Sequence, residues 1–214
     1  MVATNPEELG DDLDANLQWR RTELLAMKRD IENLKASDEW TPRGRALRRA
    51  GHALLYAHWE GYTKVACQAY LDYVAKRRLT FADLNDAFVS TSLARLAAGA
   101  DKPSSMERLL KIAREGPAYR PQLPRDGIVN TRSNLRYEVL EEICVALGLP
   151  ISVFETKSKL INLTLCDVRN EIAHGQDSCP SRDDFLSLHD EIISMIDSLR
   201  ELILKAAASG SYRS

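Results

Sequence analysis

The segment LINLTLCDVRNEIAHG, residues 160–175, carries the side chains best suited to chemistry. Projected on a helix at about 100° per residue, Ile161, Leu165, Val168 and Ile172 fall within about 60° of one another and define a face to be buried. Asn170 and His174, spaced i and i+4, share a face nearly opposite, and Arg169 lies on the flank between them. A histidine turned away from its own helix's apolar stripe faces solvent or another chain. Gly175 stops the helix, so His174 stands at a C-terminus where the macrodipole favours the imidazolium. A histidine that holds and releases a proton near neutral pH, beside an arginine that pairs with phosphate oxygens, is enough for metal-free RNA cleavage. In that chemistry the ribose 2'-hydroxyl attacks the adjacent phosphate, the histidine moves the proton and the arginine offsets charge on the phosphorane. One such histidine per chain implies two chains sharing a site.

Spacing alone does not single out this pair. An arginine followed after four to six residues by a histidine occurs at Arg45/His52, Arg169/His174 and Arg182/His189. The bland alternative is that arginine and histidine near a helix end cap carbonyls and dress a solvated face. Context separates the three: only Arg169 is followed by a polar residue on the histidine's face, and only His174 precedes a glycine at a helix end.

The elements that must position these residues are helical throughout, because apolar residues recur with the 3.6-residue period and no stretch alternates for long. Asn5, Pro6 and Glu8 open a helix predicted to run to about Lys35, with Leu13, Leu17, Leu24, Ile31 and Leu34 inward. A long second helix, from about Gly44 to Arg78, carries Leu47, Leu54, Gly61, Val65 and Ala69 as one stripe, with Leu55, Tyr62, Ala66 and Tyr73 beside it. Shorter helices are predicted from Asp83 to about Ala98 and from Ser104 to about Glu115, the latter opened by a Ser104/Glu107 capping box. Residues 117–134 have no period, and a connection of that length is usually functional or mobile. Helices from about Asn134 to Leu147, from about Lys157 to Ala173 and from Ser181 to about Ala207 complete the chain. The expected fold is an all-α antiparallel helical bundle, one domain over residues 1–214, with a helical and loop insertion at 80–130.

With 214 residues, 24.0 kDa and 44% hydrophobic residues, the chain is long enough for one sizeable core. No apolar run approaches the roughly 20 residues of a membrane span, and the first residues, MVATNPEELGDDLDAN, are acidic, unlike a signal peptide. A cytoplasmic protein without membrane contact is expected. A net charge of -2 and a pI of about 6.1 exclude the whole-chain basicity of a nonspecific nucleic-acid wrapper. Cys67, Cys144, Cys166 and Cys179 lack ligand spacing, so reduced thiols are expected, with no metal and no cofactor.

The string Arg169-Asn170-Glu171-Ile172-Ala173-His174-Gly175 resembles the R-N-x-x-x-H motif of the HEPN superfamily, found in many prokaryotic toxins and defence ribonucleases. AHWEGYTK (residues 57–64) and TRSNLRYEVLEEICVALGLP (residues 131–150) are similar to the HEPN-like nuclease branch close to RiboL-PSP-HEPN, and the likeness spans most of residues 10–205. The resemblance implies a helical bundle that homodimerises so that two motif copies meet, with Arg169 and His174 catalytic and Asn170 orienting. It further implies a metal-independent endoribonuclease acting on RNA, a toxin of a toxin–antitoxin or antiphage system, restrained by a cognate antitoxin. The family also contains non-catalytic nucleotide-binding or antitoxin-like modules, which is the alternative reading.

Two weaker features remain. Glu60 and Lys64 share a face of the second helix, as a plain i,i+4 ion pair or as part of a substrate-binding rim. From Met106 to Arg136, Arg108, Lys111, Arg114, Arg120, Arg125, Arg132 and Arg136 outnumber the acids by four. Arg120 and Arg132 are therefore candidate substrate-binding residues, with Tyr119 placed to stack on a base.

Overall fold

The computed structural model describes residues 2–123 and 126–214. Among them no strand occurs, and the fold is all-α. Helix α1 (Pro6–Glu32) starts as predicted, the Asn5 side chain accepting the Glu8 amide at 2.8 Å, and ends three residues before Lys35. Helix α2 (Pro42–Lys76) is capped by Thr41, whose hydroxyl accepts from the Gly44 amide at 3.2 Å. Helix α7 (Arg182–Ser209) opens on a capping box of Ser181 and Asp184 and closes at Gly210, which is left-handed with φ 71°. These three long helices pack on one another. Lys28 meets Asp190, and Arg200 meets Asp14, so α1 and α7 run antiparallel. Tyr73 on α2 packs edge-on against Tyr212 just beyond α7, which runs beside α2 in the same direction.

Leu13, Leu17, Leu24 and Ile31 of α1 supply the helical stripe that was expected, and all are buried, with Leu9 extending it at the start. Leu34 falls beyond the helix. The stripe predicted for α2 is corrected: Leu47, Leu54, Gly61 and Ala69 are only half-buried, and Val65 is 40% exposed. The row expected beside it, Leu55, Tyr62, Ala66 and Tyr73, is buried as predicted, and the buried face continues over Arg48, His52, Tyr56, Trp59 and Tyr70. Because α2 is enclosed by α1, α7 and the segment before residue 174, its buried arc is wide and admits polar side chains, of which Arg48, His52 and Tyr56 find partners there. No helix among the described residues is long and apolar enough to cross a membrane.

Helices α3 (Asp86–Ala98) and α4 (Pro103–Glu115) fill much of the expected insertion. The start of α3 is shifted from Asp83 because Asp83 closes a turn with Thr80 (2.6 Å), leaving Asn85 to cap. The Ser104/Glu107 capping box does not form: Pro103 occupies the first turn, Ser104 lies inside the helix, and Glu107 pairs with Lys111 at 3.2 Å. Leu84 and Phe88 join the same buried cluster as the long helices. Helix α5 (Tyr137–Ala146) begins three residues later than Asn134, since the Leu135 amide is taken by the Tyr56 hydroxyl (2.9 Å) and the Tyr137 amide by the Asn162 side chain (2.8 Å).

The helix expected over residues 157–173 is present, but its middle is π-helical and a separate 3₁₀ stretch precedes it. A 3₁₀ stretch (Ile151–Lys157) leads into a π-helical stretch (Leu160–Asp167) and then α6 (Val168–Ala173). A π turn holds more than 3.6 residues, so the 100° projection drifts there. Ile161, Leu165 and also Cys166 are buried, whereas Val168 and Ile172 are half-buried. The four cysteines are free thiols, three of them buried.

Candidate active site

The chain around His174 ends α6 in a Schellman motif: the Gln176 amide donates to the Glu171 carbonyl at 2.9 Å and the Gly175 amide to Ile172 at 3.1 Å. Gly175 sits at φ 74°, a conformation that a side chain would strain, although nothing stands within 4 Å of where its Cβ would be. His174 is the cap itself, exposed, its amide bonded to the Asn170 carbonyl at 2.9 Å. The chain leaving it is clamped to the start of α2. Arg45 pairs with Asp177, Arg49 donates to the carbonyls of Gln176 (2.6 Å) and Ser178 (2.5 Å), and fully buried Arg48 donates to the Pro180 carbonyl at 2.8 Å.

The other three histidines are spoken for. His52 is 1% exposed, its Nε2 against the Leu165 carbonyl at 3.2 Å, and burial pulls its pKa down. His58 lies 2.7 Å from Glu23, and His189 bonds Asp190 at 2.9 Å. Neither Arg45/His52 nor Arg182/His189 therefore presents a histidine to solvent.

Arg169 is held from below and from the side. Its guanidinium lies over the Tyr56 ring, 3.9 Å from the centroid, and donates to the Asn134 side chain and to the Ser133 carbonyl (3.4 Å). Its Nε is buried without a partner among the described residues. Burial pushes the Tyr56 phenol up to about 12, so it stays neutral beneath the cation, and it pushes the Cys166 thiol up to about 11, so that sulfur is no nucleophile at neutral pH. Asn170 is half-buried on the same short helix, and Asp167 is tied to Arg136.

The weaker candidates divide. Glu60 is half-buried one turn beyond Tyr56, close enough that its charge raises both Tyr56 and Cys166. Lys64 is exposed, and the two form no ion pair with each other. Arg132 lies on the strand of chain that supplies Asn134, exposed, at φ 55°, and paired with Glu142. Arg120 is elsewhere, near Asp83 beyond the end of α2, tens of ångströms from Tyr56 at about 1.5 Å per helical residue. Tyr119 is not available for stacking: it is 7% exposed and packed on Phe81 at 5.4 Å. Arg125 lies outside the described residues.

Sequence reasoning missed Tyr56, Asn134 and the Arg45/Arg48/Arg49 clamp. Tyr56 sits one turn ahead of Glu60, and Asn134 lies inside the TRSNLRYE segment, but only the tertiary fold brings both to Arg169. No curated protein and no solved structure matches the chain. A family model does, over residues 15–205, and on that match the chain belongs to the RiboL-PSP-HEPN family of HEPN domains.

Proposed function

We propose that the chain is a metal-independent endoribonuclease that works as a homodimer, with Arg169 and His174 catalytic and Asn170 orienting. A HEPN domain supports a nuclease or a nucleotide-binding module. The observation that favours cleavage is the exposure of His174, alone among the histidines, at the end of the six-residue helix that carries an arginine fixed by Tyr56 and Asn134. In this reading His174 takes the 2'-hydroxyl proton as that oxygen bonds to phosphorus. The imidazolium of the second copy gives a proton to the departing 5'-oxygen, and the unengaged donors of Arg169 meet the phosphorane oxygens. Glu60 and Arg132 line the approach. The whole chain acts as one domain, with 80–130 as its insertion. A role as a toxin in a toxin–antitoxin or antiphage system, in the cytoplasm and under a cognate antitoxin, follows from the harm that free ribonuclease does to its own cell.

Cleavage is expected to proceed in excess EDTA and to leave 2',3'-cyclic phosphate and 5'-hydroxyl ends. DNA, and RNA methylated at the 2'-oxygen of the cut nucleotide, should resist. Strict dependence on added Mg²⁺, or cutting of DNA, would overturn the mechanism; nucleotide binding without cleavage would leave the non-catalytic module.

The shared site has its own test. If both histidines act in one site, co-refolding wild type with an equal amount of His174→Ala chain gives about one quarter of the activity; independent sites give about one half. A straight line through the whole mixing series removes the composite site.

A further inference from the structure

Away from Arg169 and His174, a pocket of about 370 Å³ opens between α3, the start of α4 and the chain near residue 122. That volume lies within the usual range for small-ligand sites, roughly 300–1,000 Å³. Arg95, Lys102 and Arg108 line it, no carboxylate does, and none of the three forms an ion pair among the described residues. The nearest acid on α4, Glu107, is held by Lys111. Ser105 and Gln122 add polar groups at the rim. Ser92 adds another from the floor: it is 3% exposed and lines the pocket. Three cations without ion-pair partners among the described residues, set around one concave space, repel one another, and a bound anion relieves that repulsion. In a chain with net charge -2, such a carboxylate-free cluster is a local departure from the surface average.

We propose that the α3–α4 pocket is a second, separate binding site for a phosphate-bearing ligand. Arg95 and Arg108 engage the phosphate, Lys102 supplies a further charge, and Ser92 donates its hydroxyl from below. The proposal does not depend on RNA cleavage at His174. The two sites are nonetheless joined by a short run of chain. Gly127 approaches the Arg95 guanidinium so closely that an added Cβ would lie 3.4 Å from it, and seven residues later Asn134 holds Arg169. A run of seven residues spans at most about 24 Å. The phosphate therefore belongs either to the RNA strand that reaches Arg169 or to a free nucleotide bound beside it.

The test uses the full-length protein carrying His174→Ala, so that no RNA is consumed. Binding of AMP is measured by calorimetry. Binding of a 2'-O-methyl oligoribonucleotide, with and without a 5'-phosphate, is measured by fluorescence anisotropy at two salt concentrations. Arg95→Glu/Arg108→Glu should weaken binding at least tenfold and flatten its salt dependence; both side chains are exposed, so the fold should be unchanged by circular dichroism. Ser92→Ala should weaken it severalfold. AMP binding lost in the double variant assigns the pocket to a free nucleotide, and loss confined to the oligonucleotide assigns it to RNA. Binding unchanged by the double variant, or no binding of either probe to the parent, overturns the proposal whether or not the wild-type protein cuts RNA.

Discussion

Replacing His174 by alanine should lower the RNA cleavage rate by about 10²–10⁴-fold, the usual contribution of a positioned general acid–base, and leave the melting temperature within a degree or two of the parent. The stability half rests on the side chain's surroundings. His174 is exposed, and its one hydrogen bond among the described residues is made by its backbone amide to the Asn170 carbonyl, which alanine keeps. The same substitution at His52 would behave in the opposite way, because that ring fills a fully enclosed site beside the Leu165 carbonyl. Measured together, cleavage rates and thermal melts of the two variants separate chemistry from folding. A His174→Ala chain that cuts at the parental rate would end the role of this residue as proton carrier, and with it the composite site.

The long helices could be read from the sequence because their signals are local. Asn5-Pro6 and Ser181 with Asp184 each fix an N-terminus through contacts within four residues, and the structure keeps both. The exposure of His174 was also legible, since it depends on which side of one turn the residue faces and on the glycine that follows. What could not be read depends on more distant contacts. The π stretch at Leu160–Asp167 changes the angular period without any change in composition, so the projection that placed His174 correctly overstated the burial of Val168 and Ile172. Ser104-x-x-Glu107 satisfies the capping-box pattern, yet the adjacent Pro103 starts the helix earlier. Tyr119 reads as a free aromatic in a basic loop, but burying it on Phe81 excludes water from two rings at once. The partners of Arg169 were out of reach for the same reason: Tyr56 and Asn134 lie 113 and 35 positions away in the chain and meet only in the fold.

Arg169→Ala should cost cleavage at least 10²-fold, and, unlike the histidine change, it should also lower stability, by about 1–2 kcal/mol. The guanidinium makes two kinds of contact that alanine abandons: the stack on Tyr56 and the bonds to Asn134 and the Ser133 carbonyl, which fix the loop ahead of α5. Arg169→Lys separates charge from shape. A lysine ammonium restores the charge, but it cannot lie flat on the ring, reach Asn134 and still offer a pair of parallel donors to phosphate. The lysine variant is therefore expected to regain only part of the lost rate. If the arginine acts on charge that appears in the transition state, the loss falls on kcat; if it only holds the ground-state phosphate, KM rises and kcat stays. Tyr56→Leu, compared with Tyr56→Phe, provides the control: both lose the hydroxyl that holds the Leu135 amide and leave the arginine and its charge in place, but only Tyr56→Leu also removes the platform. A cleavage rate in that variant between those of wild type and Arg169→Lys would mean that orientation of the guanidinium contributes beyond its charge. Full activity in both Arg169→Lys and Tyr56→Leu would reduce the residue to a point charge near the substrate, and the fixed arrangement of Tyr56, Asn134 and Arg169 would then serve the loop ahead of α5 instead of the chemistry.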